Sequence, residues 1–152
     1  MELNSIFGLP AHPLIVRAAV VMLPLAALTL IVAALIPKTH RIAAPLAFGL
    51  CIVATVAVFL AEGSGEQLEE QVEETALVET HTGAADAALP WAIVMTGAAA
   101  AVTAADPIRH RMGDRAPSPR IVNASLAVLA VVAGVGATIT VIHVGHSGAK
   151  AT

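Results

Sequence analysis

The sequence predicts an all-α fold: an integral membrane, antiparallel four-helix bundle with a short acidic amphipathic helix on its outer face. Three observations carry that prediction. The 152 residues are 57% apolar and only 12% charged, where a soluble domain carries about a quarter charged residues; the mean hydropathy is +0.83. Four apolar stretches, at 13–36, 43–61, 84–105 and 121–144, each approach or exceed the roughly 20 helical residues that cross a hydrocarbon core of about 30 Å. The connections between them are short, which sets consecutive helices antiparallel. Residues 1–152 therefore read as a single transmembrane domain without a separate soluble module.

The first span opens at His12-Pro13, and proline suits a first helical turn because its amide would lack a partner there anyway. The span does not read as a cleavable signal: Glu2 is the only charged side chain before the His-Pro pair, the apolar run is too long, and Lys38 follows it. The second span holds Cys51, the only cysteine, which excludes a disulfide framework or a cysteine metal motif and reads as a small core residue. After it, Gly63-Ser64-Gly65 reads as a break before a short helix over 63–80. There Leu68, Val72 and Ala76 recur every four residues while Glu66, Glu69, Glu70, Glu73, Glu74 and Glu79 occupy the other faces. In the third span, Trp91 falls near the outer interface, where an amphipathic ring is favoured. Small residues four apart, Gly97 with Ala101 and then Ala130, Gly134 and Thr138 in the fourth span, suit close helix packing. The connector 106–120, with Pro107, Gly113, Pro117 and Pro119, reads as irregular.

Charge orients the bundle. Lys38 and Arg41 lie between spans one and two, and Arg109, Arg111, Arg115 and Arg120 between spans three and four, while the remaining connector has neither Lys nor Arg. The positive-inside rule then makes the basic loops cytoplasmic and both termini extracytoplasmic, in a bacterial plasma membrane. His40 and His110 fall in the basic loops and read as headgroup-level residues. Neither loop has the size or aromatic content of a nucleic-acid surface, so the bilayer is the expected partner.

That topology gathers His12, Glu62, His81, His143 and His146 at the outer face. Arg17 and Asp86 each lie five residues inward of a histidine, about 7 Å deeper at 1.5 Å per residue. An unpaired charge at that depth costs at least a few kcal/mol, so Arg17 is expected to pair with Asp86 or, failing that, Glu62; the competing reading is an Arg17 that snorkels to the headgroups. The histidines read either as helix caps and partners of the outer glutamates, or as a cofactor or metal site built from facing helices. His12, His81 and His146 are the candidate cofactor ligands, with Arg17 beside them, and His143 joins the three in a candidate metal set. Arg17 would oppose a bare dication and favour an anionic group such as haem propionates, which puts haem b ahead of zinc or another divalent metal. No His-Glu-x-x-His or other zinc spacing occurs.

Four segments, "GLPAHPLIVRAAVVMLPLAAL", "AEGSGEQLEEQV", "LVETH" and "VGHSGA", resemble in order the bacterial four-span membrane family catalogued as domain of unknown function 2231. The resemblance covers nearly the whole chain, and its most specific parts are His12-Pro13 and the Gly-His-Ser-Gly-Ala around His146. It implies a small four-span protein with His12, His81 and His146 as characteristic helix-end histidines, and it implies no activity. The chain departs from the family at Arg17, where a second histidine is common, and a ligand set borrowed from the family is weaker for it.

Two functions from different classes follow. One is an accessory or structural subunit of a larger membrane complex, or a homo-oligomer. The other is a redox carrier holding haem b, or a divalent metal, through the outer-face histidines. Enzyme chemistry has little support: no catalytic residue stands out, Ser147 beside His146 lacks a Gly-x-Ser-x-Gly turn, and no inverted repeat points to a transporter.

Overall fold

The computed structural model describes the backbone of residues 5–6, 9–69, 87–115 and 117–150 and the side chains of 15–63, 87–115 and 117–144. A two-residue antiparallel pairing, β1 (Ser5–Ile6) with β2 (Leu9–Pro10), precedes the first helix. Four long helices follow: α1 (Ala11–Leu35), α2 (His40–Glu69), α3 (Ala88–Met112) and α4 (Pro119–Lys150), with a 3₁₀ turn at Gly113–Arg115. All four are long and apolar enough to cross a membrane. Each helix packs against its chain neighbours, and α4 closes the ring against α1, while the diagonal pair α1 and α3 barely touch. The chain is thus a multi-pass membrane protein.

Within each apolar window only 28 to 33% of the residues are buried, so most of the apolar surface faces outward. One series of buried positions in each helix follows a regular rhythm, with Ala27, Ala43, Ala98 and Ala133 buried beside it. Ala19, Leu23, Ala26, Leu30 and Ala33 in α1, and Ala44, Ala47, Cys51, Ala54 and Val58 in α2, alternate spacings of three and four. Ala88, Ala92, Met95, Ala99 and Val102 repeat it in α3, as do Ala130, Gly134, Ala137 and Val141 in α4. This is the 3.5-residue repeat of a coiled-coil seam. Larger side chains such as Leu25, Leu28, Ile52, Phe59 and Ile139 point outward. The ordering suits lipid, which is as apolar as leucine: large side chains gain nothing by leaving it, so close packing of small residues holds the helices together.

Hydroxyls add cross-links between α2 and α3. Thr55 Oγ1 lies 2.8 Å from Thr96 Oγ1, which itself donates to the Ala92 carbonyl at 3.0 Å. Thr55 Oγ1 also lies 3.2 Å from that carbonyl, so the two hydroxyls and Ala92 O form one hydrogen-bonded cluster across the α2–α3 contact. Nearer the other end, the single proton of Thr103 Oγ1 is shared between Ala99 O at 2.8 Å and, across the helix contact, Ala44 O at 3.1 Å.

The structure corrects four expectations. Gly63-Ser64-Gly65 does not break the helix, since α2 continues to Glu69. A glycine costs about 1 kcal/mol in a helix, less than the several kcal/mol of backbone groups left unsatisfied at a membrane. The same balance carries α4 through Gly145 to Lys150, where an end near Val144 is expected. The connector 106–120 is not irregular throughout: α3 runs past Pro107 to Met112. Arg109 spans that turn by donating to Asp106, and Arg109, His110 and Arg111 lie in the last turn, where cations complement the helix dipole. Gly113 then ends α3 at φ +54°, its N–H donating to Arg109 O. Lastly, Gly97 is not in the packing face of α3; it is exposed, and a Cβ there would meet nothing within 4 Å. The expected packing role of Gly134 holds, because a Cβ there would stand 3.2 Å from Ile31 Cδ1 and 3.3 Å from Ala27 Cβ of α1. The amphipathic stretch expected after Glu69 lies outside the described residues.

Candidate functional site

The polar side chains gather at the two ends of the bundle. At the end that carries the basic connectors, α1 finishes at Leu35 and the turn to α2 is held by Thr39, whose hydroxyl donates to Ile36 O at 2.9 Å. That turn delivers His40 to the first position of α2, with Nδ1 3.1 Å from Ala33 O. Carbonyls in the last turn of a helix have no intrahelical partner, and the Nδ1–H of His40 supplies one. The same ring points Nε2 at Asp106 Oδ2 of α3, 3.6 Å away.

Asp106 is on α3 because that helix continues through Pro107. Three residues on, Arg109 donates from Nη2 to Asp106 Oδ1 at 2.9 Å and from Nη1 to Asn123 Oδ1 of α4 at 3.1 Å. The result is one polar chain, from the Ala33 carbonyl through His40, Asp106 and Arg109 to Asn123, that touches all four helices. It lines a cavity of about 280 Å³ whose other walls include Lys38, Arg41 and Leu126. His40 therefore has defined partners and is more than a residue at headgroup level, while His110 is exposed. The sequence signal for this site was the i, i+3 pair Asp106 and Arg109, which is informative only if both residues are helical.

At the opposite end, the amino terminus of α3 has no side-chain cap from Ala87. Glu62 of α2 takes that part, its Oε1 accepting from the Leu89 N–H at 3.2 Å. A carboxylate suits this position because first-turn amides lack partners and the dipole there is positive. Trp91, one turn further on, lies against α4: a Cβ on Gly136 would fall on Trp91 Cζ3, with Cε3 and Cη2 at 2.6 Å. Only glycine leaves room for that ring.

The structure brings the helix ends that bear His12 and His146 to this same end. Their side chains, together with His81 and Asp86, lie outside the described residues. His143 is exposed near the end of α4, and Arg17 is exposed on α1 without an ion-pair partner among the described residues. No cluster of three or more His, Cys, Asp or Glu side chains that could hold a metal occurs among the described residues.

Comparison with curated proteins and with solved structures found no match. The profile of a family described as "Predicted membrane protein (DUF2231)" matches residues 8–152, which contain all four helices, the polar chain at the basic end and the histidine-bearing helix ends. The chain belongs to the DUF2231 family of predicted membrane proteins.

Proposed function

We propose that the protein is an accessory or structural component of a membrane assembly, bound in the plane of the bilayer to a larger protein or to further copies of itself. One observation carries this reading. Gly49 of α2 and Gly97 of α3 are exposed, and neither would meet anything within 4 Å if it carried a Cβ. The pairing of Thr103 with Ala44 and of Thr55 with Ala92 sets the register of the two helices, which puts the glycines at about the same depth. Glycines are enriched where membrane helices approach closely, and among the described residues nothing approaches these two. The basic connectors favour an orientation with that end cytoplasmic and both termini extracytoplasmic, in a bacterial plasma membrane.

The test is cross-linking in native membranes followed by mass measurement in mild detergent. The expected result is a complex or oligomer that Gly49→Leu and Gly97→Leu weaken while far-UV circular dichroism stays unchanged. A lone monomer recovered under both conditions refutes the proposal.

A second reading is a haem b site formed by His12, His81 and His146 with Arg17 alongside, or a divalent-metal site formed by His12, His81, His143 and His146. Gly134 packs between Ala27 and Ile31, a register that sets position 146 of α4 within about one turn of the level of Arg17. Neighbouring antiparallel helices thus carry two of the three histidines to one end, as bundle cofactor sites require. An absorption spectrum decides the haem form: a colourless preparation from haem-replete cells rules it out. Equal metal content in the unaltered protein and in His81→Ala rules out the divalent-metal form.

A further inference from the structure

The cavity at the basic end is unbalanced in charge. Lys38, Arg41 and Arg109 line it, with Asp106 as its acidic residue, and Asp106 accepts from Arg109 on Oδ1 while His40 Nε2 stands 3.6 Å from Oδ2. Arg109 directs two N–H groups to Asp106 and Asn123, out of the five a guanidinium offers. Lys38 and Arg41 are exposed and have no ion-pair partner among the described residues. Helix dipoles do not account for the imbalance, since two amino ends and two carboxyl ends meet here and oppose one another. The excess positive charge therefore comes from side chains, held against a small apolar floor of Ala33, Ala34, Val102, Ala105 and Leu126.

We propose that this cavity binds a phosphate group, carried either by an acidic phospholipid headgroup or by a small soluble phosphate ester. A planar guanidinium held at a fixed angle by Asp106 and Asn123 suits phosphate oxygens. Lys38 and Arg41 at the rim add charge, and the apolar floor takes a short organic stem. The volume of about 280 Å³ is just below the range of roughly 300 to 1,000 Å³ for small-molecule sites, so it fits a headgroup rather than a nucleotide. Basic pockets between membrane helices are known to hold anionic headgroups. The inference goes beyond the accessory role and does not depend on it.

The test uses the full chain in a zwitterionic detergent, with phosphatidylglycerol, phosphatidylcholine or inorganic phosphate added and binding read by native mass spectrometry and thermal stabilisation. The Lys38→Gln, Arg41→Gln double variant is expected to bind phosphatidylglycerol roughly 30-fold more weakly, about fivefold for each cation lost near the surface. Ala105→Leu fills the cavity while keeping every charge and should weaken binding as well. Preference for phosphatidylglycerol over phosphatidylcholine, reduced by both changes, supports the lipid form. Inorganic phosphate binding with the same dependence, without a preference between the lipids, supports the soluble form. Binding that survives Ala105→Leu reflects diffuse surface charge and overturns the site, as does binding unaffected by the double variant or absent for all three probes. Unchanged helicity and continued protection of Cys51 from thiol reagents show that each variant is folded.

Discussion

Replacing Gly136 by alanine tests the packing of the bundle most directly. The new Cβ would lie 2.6 Å from Cε3 and Cη2 of Trp91, so the ring, α4 or both must move by about 1 Å to restore ordinary contact near 3.5 to 4.0 Å. Overpacking of this kind costs about 1 to 3 kcal/mol. The exchange also removes a helical glycine, a gain of up to about 1 kcal/mol. In the detergent-solubilised monomer Gly97→Ala has that gain without the clash, because a Cβ there would meet nothing within 4 Å among the described residues, and the difference between the two variants isolates the steric cost. Gly136→Ala should therefore be less stable than Gly97→Ala by about 1 to 3 kcal/mol. The assay is unfolding of the detergent-solubilised chain by a denaturing detergent, followed by far-UV circular dichroism and by labelling of Cys51, the single cysteine, which is fully buried. A cycle with Trp91→Leu should recover most of the difference as coupling. Equal stability of the two alanine variants, or a coupling below about 0.5 kcal/mol, would show that Trp91 does not rest on Gly136.

Three further outcomes follow from the same contacts. Thr55→Val breaks the hydroxyl chain to Thr96 and Ala92 and should cost about 0.6 to 1.7 kcal/mol, the range for interhelical hydrogen bonds in membranes; a loss near zero in the same unfolding assay counts against the chain. Ala99→Leu, at a fully buried seam position, should destabilise by about 1 to 3 kcal/mol through overpacking, whereas Ile93→Ala on the exposed face should stay within about 0.5 kcal/mol; the reverse order would refute the assignment of inner and outer faces. Glu62→Ala removes the acceptor at the Leu89 amide and should cost about 0.5 to 2 kcal/mol, as lost helix caps do, with faster hydrogen exchange at the start of α3. Glu62→Gln keeps an acceptor and should recover much of that loss.

Much of this was legible from composition and spacing. Four spans, their antiparallel order and the basic ends of the connectors follow from where charge and apolar runs fall. The inner faces were harder, because the helices are apolar all round and a search for an apolar stripe finds none. The useful signal is size: alanine recurs at alternating three and four where Leu, Ile and Val would pack equally well against lipid. Gly97 misled for that reason, as a small residue in a span that faces no helix among the described residues. Asp106 was hidden by its neighbour. Pro107 suggested a loop, and in a loop the spacing of Asp106 and Arg109 has no meaning, yet on the continuous helix it places both beside His40.

The sequence by itself determined that this chain crosses a membrane four times, since the low charge and the length of each apolar run leave few other solutions for a backbone that must satisfy its own hydrogen bonds in lipid. It also determined where the charges and histidines fall along each helix, and so which end of the bundle they reach. Only the tertiary structure decided which residues meet there. His40 with Asp106, Arg109 with Asn123, and Trp91 over Gly136 depend on helix rotation and register. Those are set by how alanines and glycines interlock across the seam, a property of pairs of surfaces that no single apolar stretch contains.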